Sequence, residues 1–500
     1  MASPSFEDLA SWDDFNIVSP DNVDDPEDPR NVDLRKLPEE IEQLDQSIAE
    51  LEANIATLRL QRAKLLDQRA LIRHLSPDLL SRIFELGVHE SADLLLNLSL
   101  VSHHWRSVVL SSPTLWTYII LDSNWSWRIP SFLRRMRAHL QRSRASKLFI
   151  EIDFRHVDSP LDTETILLGL KPHLWRCYSY NVSVPDWFRM RRIQEHSSTM
   201  GPALEDLYLR VDSSDSEYQE PFSIFSQPCP RLVYAMLEHM PMECLGVPTP
   251  SLRQFHLLRD ARCHSPAKIA YPFNQLMSIL TSSPIKWFSV RFAFFTIDTT
   301  EDVFRATPTP QVLPSLEGLS FDAVDAGSVS LFLESTSLPA LQLLSVNSGV
   351  ELQWLTQISL APSRFPALRL LDLRNCLFTG PSLVPLVRAL HHLPQLTGLG
   401  ISTPATGVVG THIFDMLAAG PDTLGEWLLP RLEAIGVQNC EDVTGHELLR
   451  VVTARRGAAA PEVSNIVFLK ITQCLLDPEV LERLTQLVDT VLTVDTVRTV

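Results

Sequence analysis

The sequence predicts an α/β chain: a long N-terminal helix, a small three-helix bundle, and then an irregular α/β solenoid of strand and helix units. Three observations carry this. Leucine and isoleucine recur every seven residues from 37 to 72, apolar residues from 74 to 120 follow a helical period broken by capping residues, and a unit P-x-L-x-x-L-x-L recurs, with substitutions, eight times from residue 202 to 437. With 500 residues, 45% of them hydrophobic and 21% charged, the chain can bury more than one core.

Charge and cysteine usage narrow the function. The formal net charge of −17 opposes phosphate neutralisation as the main task, so no nucleic-acid partner is expected. The start "MASPSFEDLASWDDF" has neither a basic segment nor an apolar run, and no stretch of about 18 apolar residues occurs, so an intracellular protein, cytoplasmic or nuclear, without a membrane partner is expected. Seven scattered cysteines with no C-x-x-C suggest reduced thiols rather than zinc ligands or a disulfide framework. No nucleotide-binding glycine loop, G-x-S-x-G or H-E-x-x-H occurs. No cofactor, metal or catalytic residue is therefore assigned.

Residues 1–36, rich in Asp, Pro, Ser and Asn, hold too few apolar groups to offset the entropy of ordering and read as an acidic disordered tail. Residues 37–73 read as a coiled-coil helix, with Leu37, Leu44, Leu51, Leu58, Leu65 and Ile72 at d and Ile41, Ile48 and Ile55 at a. Ile at a with Leu at d favours a parallel homodimer, but Arg62 and Arg69 occupy the last a positions and Glu40 would face Asp45. Packing of this helix on its own chain stands as the alternative to dimerisation.

Residues 74–120 form the expected bundle. Ser76 suits an N-cap, Pro77 the first helical position, and Gly87 a left-handed C-terminus, while Leu79, Leu80, Ile83 and Phe84 make one apolar stripe. After Ser91 a second helical pattern places Leu95, Leu98, Val101, Trp105 and Val108 on one face. His103 and His104, adjacent on a helix, point about 100° apart and do not converge on a metal.

This stretch resembles an F-box, whose pattern runs Leu-Pro, an acidic residue, two aliphatics, Ile-Phe, then Val-Ser, Trp-Arg and Leu-Trp. The matching residues are Leu75, Pro77, Asp78, Leu79, Leu80, Ile83, Phe84, Val101, Ser102, Trp105, Arg106, Leu115 and Trp116. One departure is Ser76, where the pattern has its proline. The resemblance implies three packed helices that bind the Skp adaptor of a cullin-RING ubiquitin ligase, with Leu75, Pro77, Leu79, Leu80, Ile83, Phe84, Leu98, Val101, Ser102, Trp105, Leu115 and Trp116 as adaptor-binding residues.

Residues 121–147 read as an amphipathic basic connecting helix, with Phe132, Met136 and Leu140 docked on the first layer of the repeats and Arg134, Arg135, Arg142 and Arg144 in solvent or nearby grooves. From 148 to 495 the repeated unit dominates, from "PALEDLYL" at 202 to "PRLEAIGV" at 430, with further strands expected at 285–290 and 466–471. Three units extend to L-x-L-x-x-C through Cys376, Cys440 and Cys474. These units resemble the leucine-rich repeat, which implies buried alternating leucines and a Cys that is a small buried hydrophobe rather than a nucleophile.

The residues alternating with those leucines, Tyr208, Arg210, His256, Asp372, Arg374, Gln438, Lys470 and Thr472, are the candidate target-binding set. The combined expectation is a non-catalytic substrate receptor: the F-box bundle holds the adaptor and the leucine-rich-repeat-like solenoid holds an unidentified target protein. A protein-interaction scaffold outside any ligase is the alternative.

Overall fold

The computed structural model describes residues 39–494 apart from several short stretches, the longest being 213–221, 260–269 and 297–308. The acidic segment 1–36 lies outside the described residues. Two compact units divide the chain, Met1–Phe149 and Ile150–Val500.

In the first unit, α1 (Glu39–Arg69) is a single 31-residue helix whose seam residues stay exposed, from 46% at Ile55 to 63% at Leu65. The bundle follows as α2 (Pro77–Glu90), α3 (Leu94–Val101), α4 (His103–Ser111) and a 3-10 turn at Pro113–Trp116. Ser76 caps α2 as its type suggests, accepting from the Leu79 amide at 3.4 Å, with Pro77 in the first turn.

Two local expectations fail for identifiable reasons. Gly87 does not end a helix; it lies inside α2, where an added Cβ would sit 2.4 Å from Leu94 Cδ2, so its smallness lets α3 approach. The helical pattern after Ser91 is interrupted at Ser102, whose extended backbone (φ −160°, ψ 161°) and hydroxyl, accepting from the Trp105 amide at 3.2 Å, cap a new helix. Helices α3 and α4 therefore diverge, which leaves Val101 59% exposed rather than on the buried face with Leu95, Leu98 and Val108.

Strand β1 (Tyr118–Leu121) and α5 (Ile129–Arg142) complete this unit. Helix α5 buries Phe132, Met136 and Leu140 as its spacing predicts, but it also buries Arg135, which is only 5% exposed with its guanidinium 4.8 Å from the Trp125 ring centre. Arg142 lies 4.5 Å above the Trp116 ring, while Arg134 and Arg144 are exposed. The inner side of α5 thus meets the tryptophan that closes the bundle.

His139, beside Trp116 at 5.1 Å, gives this packing a pH signature. Burial, reinforced by the Arg135 charge and opposed by backbone hydrogen bonds at Trp116 and Tyr118, lowers its pKa from 6.5 to about 3. The native ring stays neutral while the unfolded chain takes up a proton below pH 6.5, so the stabilisation is complete above that value and falls as the pH drops toward 3. Urea unfolding of the full chain should lose about 1.6 kcal/mol between pH 6.5 and pH 5 from this group. His139→Leu should remove that part of the slope; identical slopes in the two proteins would count against it.

In the second unit the eight proline units become strands of one sheet. Strand β2 (Leu148–Asp153) spans the unit boundary and is followed by β3 (Cys177–Val184), β4 (Asp206–Val211), β5 (Tyr234–Glu238), β6 (Gln254–Leu258) and β7 (Trp287–Arg291). Then come β8 (Gly318–Asp322), β9 (Leu343–Asn347), β10 (Leu370–Arg374), β11 (Gly398–Ser402), β12 (Ala434–Gln438), β13 (Phe468–Thr472) and β14 (Thr490–Val494). From β3 to β14 each strand pairs in parallel with the next, so order in the sheet is order in the chain. Parallel neighbours need crossovers, and helices such as Leu383–His391 and His446–Arg456 supply them.

The proline has a specific task. In seven units the leucine two positions after it donates its amide to the carbonyl three residues back, as Leu396 does to Leu393 at 3.0 Å and Leu432 to Leu429 at 3.1 Å. Proline therefore sits second in a β-turn, where its fixed φ is already suitable. Beyond the turn, alternate residues point inward: Leu207 and Leu209, Leu319 and Phe321, and Leu371 and Leu373 are at most 1% exposed.

Strand exits are equally regular. His239, Phe292, Ala323, Asn375, Asn439 and Gln473 each follow a strand with φ between 48° and 58°. Two residues past the strand the chain turns inward, and at three exits that residue is a buried cysteine donating back to the last strand carbonyl: Cys376 to Arg374 at 3.2 Å, Cys440 to Gln438 at 3.1 Å, Cys474 to Thr472 at 3.4 Å. The six described cysteines are buried free thiols; Cys263 lies outside the described residues.

Candidate protein-interaction surfaces

The bundle sorts its twelve candidate residues into core and surface. Leu80, Phe84, Leu98, Leu115 and Trp116 are at most 8% exposed and pack together with Val88, Leu95, Val108 and Val109. Trp116 Nε1 also donates to the Val109 carbonyl at 2.8 Å. These five side chains are packed into the core of the bundle, so their first role in the free chain is to hold the fold. Trp105 is half-buried against Phe84, ring centres 4.8 Å apart, and Leu75 packs on the same core. Ser102, selected as a polar contact, is occupied in capping α4.

What remains on the outside is apolar. Leu79 (56%), Ile83 (48%) and Leu86 (64%) stand at i, i+4 and i+7 along α2. Leu100 and Val101, both 59% exposed, end α3, and Pro77 is exposed at the start of α2. Leu86 and Leu100 were not among the sequence candidates, although the i+7 spacing from Leu79 marks Leu86. A cleft of about 440 Å³ lies beside this helix, lined by Arg82, Glu85, Leu86, Thr114, Tyr118 and Lys147 among others. Arg82 and Glu85 pair at 2.8 Å along its edge.

The outward face of the sheet spreads the eight target-binding candidates over many strands. Tyr208 and Arg210 lie on β4, His256 on β6, Asp372 and Arg374 on β10, Gln438 on β12, and Lys470 and Thr472 on β13. At about 4.8 Å per strand the extremes are about 43 Å apart, so they do not form one site. Two groups result. Near β4, the Tyr208 hydroxyl donates to Glu238 at 2.6 Å, and Arg210 bonds Asp212 at 2.6 Å. Burial, with the Glu238 carboxylate, pushes the Tyr208 hydroxyl up to about 12. His256 lies against the Tyr234 ring at 5.3 Å, and burial lowers its pKa.

Toward the C-terminal strands, Asp372 receives Arg374 at 2.6 Å and Ser345 at 3.2 Å, while Gln438 and Lys470 are exposed and Thr472 is half-buried. Sequence reasoning missed the residues between the groups. Arg291 meets Asp322 at 2.5 Å, Asn347 donates to Asp322 at 2.6 Å, and Asn375 donates to Asn347 at 2.7 Å, a polar ladder across neighbouring strands. Aligning the repeats at their prolines would have placed Asp322, Asn347 and Arg374 at one position, eight residues after each proline.

Among the described residues no three His, Cys, Asp or Glu side chains are placed to hold a metal ion. Among them, too, no helix is long and apolar enough to cross a membrane. His103 is exposed and His104 half-buried.

Comparison with known proteins adds little. No family model matches the chain, and no curated protein matches it. A crystal structure of a protein from Bacteroides fragilis is similar over 65% of this chain, at 10% identity and a TM-score of 0.30. The chain spans 66% of that protein's length.

Proposed function

We propose that the chain is a non-catalytic receptor subunit of a Skp-cullin-F-box ubiquitin ligase. Its bundle would bind the Skp-type adaptor and its leucine-rich-repeat-like sheet would hold the target, so that ubiquitin transfer follows from proximity to a RING-bound conjugating enzyme. One observation carries this reading: within an F-box-like sequence, Leu79, Ile83, Leu86, Leu100 and Val101 are large apolar side chains left between 48 and 64% exposed. A concentration of such groups on a small helical bundle marks a surface meant for another protein.

The adaptor contact then rests on Leu79, Ile83 and Val101 from the F-box-like pattern, extended by Leu86 and Leu100. Ser76, where the pattern has proline, keeps the helix start intact through its cap. Co-purification of the full chain with a Skp-type adaptor tests the proposal. The expected result is a stable complex; failure of the wild-type chain to capture the adaptor removes the ligase reading and leaves the interaction scaffold.

A further inference from the structure

Helix α1 carries an uncovered apolar seam and an uneven charge. Leu44, Ile48, Leu51, Ile55, Leu58 and Leu65 are 46 to 63% exposed. From Glu39 to Leu58 the helix holds six carboxylates and no cation; from Arg59 to Arg69 it holds four cations and one carboxylate. A helix macrodipole favours acids at the start and bases at the end, but that field fades within a turn. Here the segregation reaches Glu52 and Arg59, which are central.

A parallel pair wastes this arrangement. It sets Arg62 against the partner's Arg62 in one core layer and Glu40 against the partner's Asp45. Reversing one helix brings acidic half to basic half. The flanking e positions then face each other, and an a residue packs against a d residue.

We propose that α1 pairs antiparallel with α1 of a second copy of this chain, in the register that sets Ile55 against the partner's Leu58. Ile48 then meets the partner's Leu65, and Leu51 meets the partner's Arg62, each contact occurring twice by two-fold symmetry. Glu52 faces the partner's Arg59, also twice. Arg62 lays its aliphatic stem on the partner's Leu51 and carries its guanidinium toward the partner's Glu52, so the cation that spoils a parallel layer is satisfied. The six layers from Ile48 to Leu65 span about 27 Å.

Sedimentation equilibrium of the full chain tests both the pairing and its direction. At tens of micromolar the wild type should have twice the chain mass, and Ile48→Ser/Ile55→Ser should have the mass of one chain. Glu52→Arg sets like charges together at two places and should weaken dimerisation about tenfold, and Glu52→Arg/Arg59→Glu should restore it. In a parallel pair residue 52 faces Ser47 and residue 59 faces Asn54, so neither charge variant would shift the equilibrium. A monomeric wild type overturns the pairing. A dimer insensitive to Glu52→Arg, or not restored by the double exchange, overturns the antiparallel register. Adaptor capture plays no part in these readings.

Discussion

Leu79→Asp and Ile83→Asp are each expected to cost at least tenfold in capture of a Skp-type adaptor, and their combination at least a hundredfold, with no change in the chain's thermal midpoint. Both side chains are about half exposed in the free chain, 56% and 48%. A partner covering that remaining surface gains hydrophobic free energy, which a carboxylate replaces with the cost of desolvating a charge. A hundredfold loss corresponds to about 2.8 kcal/mol, well within what two such changes supply. Helix α2 should tolerate them, because Leu79 lies in its first turn, where an acid suits the macrodipole, and neither position contributes to the core. Leu80→Asp is the necessary contrast: at 0% exposure it should unfold the bundle and lose capture for that reason alone. Unchanged capture by the Leu79→Asp/Ile83→Asp protein would show that this stripe is not the contact.

The repeats were the most legible part of the chain because one residue type does one job in them. Proline sets the turn before each strand, and the leucines after it alternate inward, so a short motif states both where a strand begins and which side is buried. Strands without that unit were legible only where their own apolar alternation showed them, as at 285–290 and 466–471, which become Trp287–Arg291 and Phe468–Thr472. Thr490–Val494 belongs to the same sheet, yet no P-x-L precedes it, and before Cys177–Val184 the motif is disguised, with Pro172 and Leu174 followed by Cys177 and Ser179 where the unit has leucines. The bundle was legible as apolar periodicity but not as geometry. Gly87 and Ser102 each have two common roles, C-cap or close approach for one, surface contact or N-cap for the other, and only the position of a neighbouring helix decides between them.

The candidate surfaces were harder to read for a related reason. A helical stripe shows which residues share a face, but not which side of the stripe the rest of the bundle covers, so Leu79 and Leu80 looked alike in sequence and differ completely in exposure. On the sheet, alternation identifies outward residues one strand at a time. Whether they converge depends on how many strands separate them, and the ladder from Arg291 through Asn375 becomes visible only when neighbouring strands are set in register.

The core of the second unit contains an element that its leucine pattern conceals, and Phe332→Ala should expose it with a large loss of stability. Phe332, on the helix Ala326–Ser335, is 0% exposed and stands among four other phenylalanine rings. Its ring centre lies 5.4 Å from Phe321, 6.0 Å from Phe288, 6.3 Å from Phe295 and 6.4 Å from Phe273. Phe288 and Phe321 come from adjacent strands β7 and β8, so one helical side chain fastens a crossover to the sheet it crosses. Truncation removes the buried ring and leaves a cavity whose walls belong to several elements and cannot all collapse inward, so the cost should be about 3 to 5 kcal/mol. Phe332→Leu keeps most of the volume and should cost less than about 1.5 kcal/mol. Phe188, 57% exposed, is the matched control, for which alanine should change stability by no more than about 0.5 kcal/mol. Urea unfolding of the full chain reads all three, with the midpoint moving at constant slope if the native packing alone is affected. A Phe332→Ala loss below about 1 kcal/mol would mean that the helix can relax into the vacated space, and the ring cluster would then not be what holds this crossover to the sheet.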